Sequence, residues 1–248
     1  MTNDLLYIDE LQMFCGAQYQ ITDKIIIQQP TVKEIIKYGE QDYFKTVFSI
    51  TSTPTSMMSE LDDLGFDFTK MTDFQLFIML TRKLQAKDMD LLIPGIDFGN
   101  MIVGQKTSTE ELVLQDPVNN IIIDELMYER IINFIRKTHG ITAQKRKAAN
   151  KATRLAMIAN DRETKALQSK KNKEFHSVLL PMIISLECTE EFKYNLDEIM
   201  DLTYYQLTLY LKQIQKKKNA ISLLNGYYSG AFDKDKFKTD SLVWTYEP

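Results

Sequence analysis

The chain has 248 residues, of which 44% are hydrophobic and 26% are charged, with only 9 glycines and 6 prolines. This composition is typical of a globular protein that buries one large core or two modest ones, and it excludes the disordered and fibrous classes. The charge is unevenly distributed: residues 144–173 hold ten basic and two acidic residues, a net +8, whereas the remainder is −12. Two oppositely charged parts therefore share one polypeptide.

The two cysteines, Cys15 and Cys188, lie far apart in the sequence. We expect two reduced thiols in a reducing compartment rather than a disulfide framework. The first residues include an acid and no basic cluster, and the longest apolar runs are too short to span a bilayer. The sequence therefore predicts a cytoplasmic protein with no membrane partner.

The N-terminal region combines strand-like and helical patterns. Leu11–Cys15 and Tyr19–Ile27 favour short strands, and the glycine-containing link between them has hairpin length. Thr31 follows as a helix N-cap, with Glu34 three residues later to complete a capping box, before an apolar helical pattern that reaches Phe48. We predict a small β element followed by one capped helix.

Helical patterns flank a β-prone stretch in the middle of the chain. Thr53–Leu64 is predicted as a short helix, and Thr72 caps a second helix that is apolar on several faces. Residues 95–123 contain short β-prone runs separated by glycine, proline and polar residues, which predicts an inserted hairpin or small meander. Asp124 then begins a helix that His139 and Gly140 close.

The basic segment has a helical period. Its small apolar residues recur at steps of three and four, which predicts a helix whose apolar face buries little area; they are Ala148, Ala152, Leu155, Ala156 and Ala159. Farther on, Phe175–Leu186 is predicted as a helix kinked by Pro181. Thr203 caps a last helix, Tyr204–Leu224, which Asn225 and Gly226 are expected to stop.

These patterns predict a helix-dominated α+β fold. It has a small N-terminal β element, a short β insertion near 95–123 and a helical C-terminal half. The domain organisation that follows is an N-terminal α+β domain over 1–140, a basic helical arm or linker over 141–173, and a C-terminal helical domain over 174–248.

No set of residues has the spacing that a common catalytic chemistry requires. Asp97-Phe98-Gly99 matches the metal-binding triplet of protein kinases, but the glycine-rich loop and the catalytic loop of those enzymes are missing. His139 and His176 are separate from each other and from the cysteines, and capping or surface roles suit them better than metal ligation. We predict a non-enzymatic protein with no catalytic residue, no metal and no cofactor.

The basic segment offers candidate contacts for a nucleic-acid phosphate or an acidic partner. These residues are Lys145, Arg146, Lys147, Lys151 and Arg154. The segment has no aromatic residue on which a base can stack, so sequence-specific readout is not indicated. A solvated or protein-binding arm is the favoured interpretation, and it includes docking on the acidic remainder of the chain.

A second candidate surface lies on the last helix. Tyr205, Leu209 and Tyr210 can form a partner interface because tyrosine supplies large amphipathic contact area. The alternative is that these side chains fill a core, as aromatic residues at helical spacing commonly do.

Several stretches of the sequence resemble a known family. Tyr19–Ile25, Gln29–Ile35 with Gly39-Glu40 after it, and Asp201–Leu207 are similar to segments of tail morphogenesis proteins of tailed phages that infect Gram-positive hosts. The last of these resembles the aromatic helix near the end of tail assembly chaperones. The chain departs from that pattern at Tyr204-Tyr205, where the family usually has a pair of tryptophans.

The resemblance implies a tail assembly chaperone that acts in the host cytoplasm. Such a protein binds the long, helix-rich tape measure protein and keeps it soluble while the tail tube polymerises. Two alternatives stay open: a structural tail or baseplate component of the virion, and a non-specific nucleic-acid-binding protein that uses residues 144–173.

Overall fold

A computed structural model describes residues 9–84, 86–106, 110–171, 175–230 and 244–245. The helices are α1 Glu10–Phe14, α2 Val32–Tyr38, α3 Glu40–Thr51, α4 Met58–Asp63, α5 Asp73–Thr81, α6 Ala86–Met89, α7 Glu125–Thr138, α8 Lys151–Lys171, α9 Leu179–Glu187, α10 Leu196–Met200 and α11 Tyr204–Tyr228. The strands are β1 Tyr19–Gln20, β2 Ile26–Ile27, β3 Ile102–Gln105, β4 Leu112–Asp116 and β5 Ile121–Ile123. This confirms the helix-dominated α+β fold. None of the described helices has the length and apolar character that a bilayer span requires.

The N-terminal β element is a hairpin of β1 and β2, which pair antiparallel. The predicted strand Leu11–Cys15 is wrong, because this stretch forms α1. The Asp9 side chain accepts hydrogen bonds from the first free amides of that helix, those of Leu11 and Gln12. Gly16, at φ +78°, then turns the chain away in a conformation that L side chains rarely adopt. Local capping therefore outweighs the strand-like composition.

The capping box at Thr31 is confirmed. The Thr31 hydroxyl accepts a hydrogen bond from the Glu34 amide, and the Glu34 carboxylate accepts one from the Thr31 amide at 2.8 Å. The predicted single helix is divided, however, into α2 and α3. Gly39 has a φ of +114°, which no helix tolerates, and it ends one helix and begins the next.

The predicted β insertion is confirmed as a three-stranded meander. Its order is β3-β4-β5, with both neighbouring pairs antiparallel. Val113 and Leu114 in the central strand and Ile121 and Ile123 in β5 are buried. The sheet thus contributes apolar side chains to the interior next to α7.

Residues 151–171 form the predicted helix α8, but its packing face is not the stripe of small residues. Ala152, Ala156 and Ala159 are exposed, as is half of Leu155. Ile158 is 3% exposed instead, in a small cluster with buried residues of α4, α5 and the loop between them, Met58, Leu61, Phe68 and Leu76. An isoleucine removes far more apolar area from water than an alanine, so it determines which face is buried.

The C-terminal helices differ from the prediction at two points. Pro181 lies in the first turn of α9, where a backbone amide has no hydrogen-bond partner within the helix. The proline therefore removes no helical hydrogen bond and gives no reason for the predicted kink. Thr203 caps α11 as predicted, but the helix continues through Gly226 and ends at Tyr228, before Gly230 at φ +75°. One helical glycine costs only about 1 kcal/mol, so Gly226 by itself does not have to end the helix.

The main core contains residues from both the N-terminal and the C-terminal parts of the chain. Its buried members include Val32, Ile35 and Val47 from the N-terminal part and Leu186 and Leu207 from the C-terminal part. The backbone amide of Val32 also donates a 2.9 Å hydrogen bond to the carbonyl of Leu202. The division into 1–140, 141–173 and 174–248 stays a prediction. The first and the last of these ranges both contribute residues to the main core.

Candidate functional site

The start of the basic segment is held by its backbone while its charges face solvent. The Thr53 hydroxyl donates a 2.9 Å hydrogen bond to the carbonyl of Gln144. Lys145, Arg146 and Lys147 are exposed, and their side chains form no ion pair with any residue in the described ranges. The same is true of Lys151 at the start of α8. These four cations can therefore meet an anionic partner without breaking an internal contact.

The next basic residues are occupied within the chain. Arg154 forms an ion pair with Asp67. About two turns farther along α8, the Arg162 guanidinium lies 3.1 Å from Asp62 and 2.5 Å from Asp63 at the end of α4. The acidic partner of Arg154 is therefore part of the same chain, as the docking interpretation of the arm anticipates.

A compact polar cluster joins α8 to the start of α4. The carboxylate of Asp161 accepts hydrogen bonds from the Ser59 hydroxyl at 2.5 Å and from the Lys165 ammonium at 2.8 Å. Lys165 also donates to Glu60 at 2.6 Å. Burial opposes ionisation of both Asp161 and Lys165, but these hydrogen bonds prevail, so the pKa of Asp161 is lowered and that of Lys165 is raised.

These protonation states decide what the cluster can do. A charged lysine cannot take the proton of Ser59, and the lowered pKa of Asp161 makes its carboxylate a poor base for that proton. Ser59 is also only 4% exposed. The arrangement therefore fastens two helices and does not activate a nucleophile.

Aromatic rings gather where α11 passes α1 and the loop before α10. The ring centroid of Tyr210 lies 5.7 Å from that of Phe14, 5.4 Å from Phe192 and 5.8 Å from Tyr194, each in an edge-to-face arrangement. The hydroxyls of Tyr194 and Tyr210 are 3.3 Å apart. Burial and this neighbouring hydroxyl raise the pKa of Tyr210 to about 12. The rings therefore form an uncharged apolar wall.

These rings border a groove on α11, which we call the aromatic groove. One part, of about 350 Å³, lies between Glu191–Tyr194 and α11, and an adjoining part of about 300 Å³ extends toward Phe14. Trp244 borders both parts. Its backbone carbonyl accepts a 2.6 Å hydrogen bond from the Gln213 amide group, and the Lys217 ammonium lies 5.4 Å from the centre of its ring.

The predicted interface residues of α11 are separated by the fold. Tyr205 is 8% exposed and belongs to the main core, so in this fold it is not accessible to a partner. Leu209 borders the smaller part of the aromatic groove, and Tyr210 borders both parts. The groove is also bordered by Phe192, Tyr194 and Trp244, which no pattern in the sequence indicated, although Trp244 is the only tryptophan of the chain.

An apolar strip is exposed on α9. Leu180 is 57% exposed and Ile184 is 47% exposed, and a spacing of four residues places them on one helical face. Val178, immediately before the helix, is 42% exposed. We call these three residues the α9 strip. Clustered exposed apolar side chains of this kind mark interaction sites more often than single ones do.

The kinase-like triplet at Asp97 has a structural role. Asp97 accepts hydrogen bonds from Gly99 and Asn100 and so shapes a tight turn, in which Phe98 is buried. Cys15 and Cys188 are free and exposed. Within the described ranges, no three or more histidine, cysteine or acidic side chains are grouped to hold a metal ion.

One family comparison matches part of the chain. Residues 169–246, just under a third of the sequence, match the family model of the YomV second domain, a phage-associated family. The matched stretch contains α9, α10, α11 and the aromatic groove residues from Glu191 onward. No curated protein and no solved structure matches the chain.

Proposed function

We propose that this chain is a non-enzymatic phage tail assembly chaperone that binds the tape measure protein in the host cytoplasm. The similarity of residues 169–246 to a phage-associated domain supports the phage setting. The likeness of Tyr19–Ile35 and Asp201–Leu207 to tail morphogenesis proteins supports the more specific role. A chaperone of this kind requires exposed apolar surface and no catalytic group.

The observation that carries the proposal is the α9 strip, which lies inside the matched stretch. Leu180 and Ile184 present a ridge at the spacing with which helices pack against one another. Full burial of a leucine or isoleucine side chain contributes about 1.5–3 kcal/mol, so two of them supply a useful part of a client interface. The tape measure protein is helix-rich and offers the matching kind of surface.

A pull-down from phage-infected cells tests the proposal. The tagged chain is recovered after nuclease treatment, and the proteins bound to it are identified by mass spectrometry and compared with those of finished virions. We expect the tape measure protein in the pull-down and the chain to be absent from virions. Nuclease-sensitive nucleic acid without any tail protein would contradict the proposal.

Variants of α9 identify the surface. The pair Leu180→Asp and Ile184→Asp places charge on the α9 strip, and we expect it to abolish capture of the client. Ser185→Asp is the matched control, because Ser185 is an exposed neighbour on the same helix. Circular dichroism and thermal denaturation establish that each variant is folded. Recovery of the chain in virions would instead favour the structural tail or baseplate alternative.

Binding of nucleic acid is the second candidate function. It is favoured by the exposure of Lys145, Arg146, Lys147 and Lys151, which have no acidic partner in the described part of the chain. In a plot of log affinity for DNA against log salt concentration, each phosphate contact contributes a slope of about −0.9. Apolar capture of a client is nearly independent of salt. Reversing Lys145, Arg146 and Lys147 to glutamate should abolish retention on DNA and spare the capture of tape measure protein.

A further inference from the structure

The exposed cations that precede α8 border a cavity, which we call the basic cleft. It has a volume of about 340 Å³ and is lined by residues 144–148 together with parts of the segments before α4 and between α4 and α5. Its lining includes three cations, Lys145, Arg146 and Lys147, and Asp73 is the one acidic side chain among the described residues that border it. The Asp73 carboxylate lies 4.0 Å from the buried guanidinium of Arg136, which offsets its charge. The basic cleft is therefore cationic.

The backbone beside the basic cleft is fixed along one edge. Residues 141–148 form neither helix nor strand. The Gln144 carbonyl accepts a hydrogen bond from the Thr53 hydroxyl, and the Arg146 amide donates one of 3.4 Å to the Thr55 hydroxyl. The two backbone groups belong to alternate residues, which is the pattern of one edge of an extended segment.

The opposite edge of this segment is available for pairing. In an extended backbone, successive residues direct their polar groups to opposite edges, so Lys145 and Lys147 face away from the edge that is fixed. Within the described ranges, the backbone groups of these two lysines form no hydrogen bond. A second extended peptide can therefore add to this edge without breaking an existing contact.

Thr55 supplies a buried hydrogen-bond donor at the same place. It borders the basic cleft and is only 7% exposed. Its oxygen accepts a hydrogen bond from the Arg146 amide, but its own hydrogen has no acceptor among the residues that the structure describes. Buried polar groups are commonly satisfied, so this hydroxyl favours a ligand that brings an acceptor, such as a carboxylate or a peptide carbonyl.

We propose that the basic cleft binds an acidic, extended peptide segment of a partner protein, which pairs with the backbone edge at Lys145 and Lys147. Charge complementarity selects the acidic partner, because the three cations of the cleft have no internal ion pair. The site uses none of the residues of the α9 strip, and its function goes beyond the capture of a client there.

The surroundings favour a peptide over a nucleic acid, the second candidate for these cations. A peptide backbone offers both amides and carbonyls to the open edge, whereas phosphates offer only acceptors. Pro54 and Met71 give the cleft an apolar part that suits an apolar side chain. Phe68 is buried, so its ring has no open face on which a base can stack. The Asp73 carboxylate repels a phosphate that enters deeply.

The test measures the binding of labelled peptides to the full-length protein by fluorescence anisotropy. The probe is an eight-residue peptide in which glutamate alternates with leucine, because alternate carboxylates of a paired strand lie on one face, as Lys145 and Lys147 do. We expect it to bind about tenfold more tightly than the same peptide with glutamine in place of glutamate. Methylation of alternate backbone nitrogens should also weaken binding several-fold, because the paired edge then loses its donors.

Matched variants locate the binding site. Lys145→Gln combined with Lys147→Gln should weaken binding of the glutamate peptide about tenfold. Lys33→Gln combined with Lys37→Gln removes the same charge from exposed positions of α2 and should leave binding unchanged. Thr55→Val keeps the shape of the side chain and should weaken binding several-fold. Circular dichroism establishes that each variant is folded.

Three outcomes would overturn the proposal. No difference between the glutamate and glutamine peptides, or between wild type and the Lys145→Gln, Lys147→Gln variant, would show that the cations hold no acidic peptide. Undiminished binding of the methylated peptide would show that the backbone edge is not used. Tighter binding of an oligothymidylate of equal net charge would assign the cleft to nucleic acid. The Leu180→Asp, Ile184→Asp variant should bind the peptide normally, so this proposal and the capture of a client by the α9 strip fail separately.

Discussion

The hydroxyl of Tyr43 donates a 2.7 Å hydrogen bond to Nε2 of His139 inside the protein. The other ring nitrogen, Nδ1, is 2.8 Å from the carbonyl of Ile135, which can only accept, so Nδ1 carries the proton. The imidazole also stacks on Tyr204, with ring centres 5.3 Å apart. One neutral histidine thereby joins α3, the end of α7 and the start of α11.

This half-buried histidine predicts a loss of stability in mild acid. Burial lowers the pKa of His139 to about 4, although the hydrogen bond to Ile135 acts in the opposite direction. An unfolded histidine titrates near 6.5, so the unfolded chain binds the extra proton first as the pH falls. The stabilisation is complete above pH 6.5 and is lost between about 6.5 and 4, by about 3 kcal/mol.

The measurement is urea denaturation of the wild-type chain and of His139→Gln at pH 7, 5.5 and 4.5. Glutamine cannot titrate, and carboxylates elsewhere affect both proteins equally. We expect the stability advantage of the wild type to shrink steadily as the pH falls. A difference that stays constant over this range would contradict a neutral, half-buried His139.

Arg136 is expected to be important for stability. Its guanidinium is buried and donates two hydrogen bonds, of 3.2 and 2.8 Å, to the carbonyl of Thr51 at the end of α3. A cation is also favoured there by the helix dipole. We expect Arg136→Met to lower the free energy of unfolding by about 2 kcal/mol, since hydrogen bonds from charged groups are among the stronger ones.

Arg130→Met on the same helix is the control for Arg136→Met. Arg130 is half-buried and contacts Tyr19 through one 3.1 Å hydrogen bond and the face of its ring. We expect a loss below about 1 kcal/mol in the same denaturation experiment. Equal losses for the two variants would argue against the special role of Arg136.

The packing of α8 is tested by two apolar residues three positions apart. Ile158 is 3% exposed and Leu155 is 50% exposed. Ile158→Ala should destabilise the chain by about 2–4 kcal/mol because it opens a cavity, whereas Leu155→Ala should change stability by less than about 0.5 kcal/mol. Chemical denaturation gives both values, and a larger effect at Leu155 would restore the predicted packing face.

Gly99 is expected to resist substitution for a steric reason. A Cβ atom at this position would lie 2.5 Å from the carbonyl oxygen of Leu84, so backbone would have to move. Gly65 is the control: its φ is +79°, but nothing lies near its Cβ position. We expect Gly65→Ala to lower stability by about 1 kcal/mol through strain alone and Gly99→Ala to lower it by more. Thermal denaturation ranks the two variants.

Features that depend on neighbouring residues were predictable from the amino-acid sequence. Contacts within a few positions along the chain account for the capping box at Thr31, the cap at Thr203, the helix between Asp124 and His139, and the β meander near 95–123. The stop expected at Gly226 was wrong because the cost of one glycine within a helix is small. The order of helical and β-prone patterns along the chain likewise predicted the helix-dominated α+β class.

Which side each element buries depends on contacts that form only in the folded protein. The periodicity of α8 indicated a helix, but the partner that selects Ile158 over the alanines lies about a hundred residues earlier in the sequence. In the same way, the pattern of α11 did not distinguish buried Tyr205 from Tyr210 at the groove, and nothing adjacent to Trp244 indicated that it returns to Gln213. Burial depends on contacts between distant segments, whose free energies no local window of sequence contains.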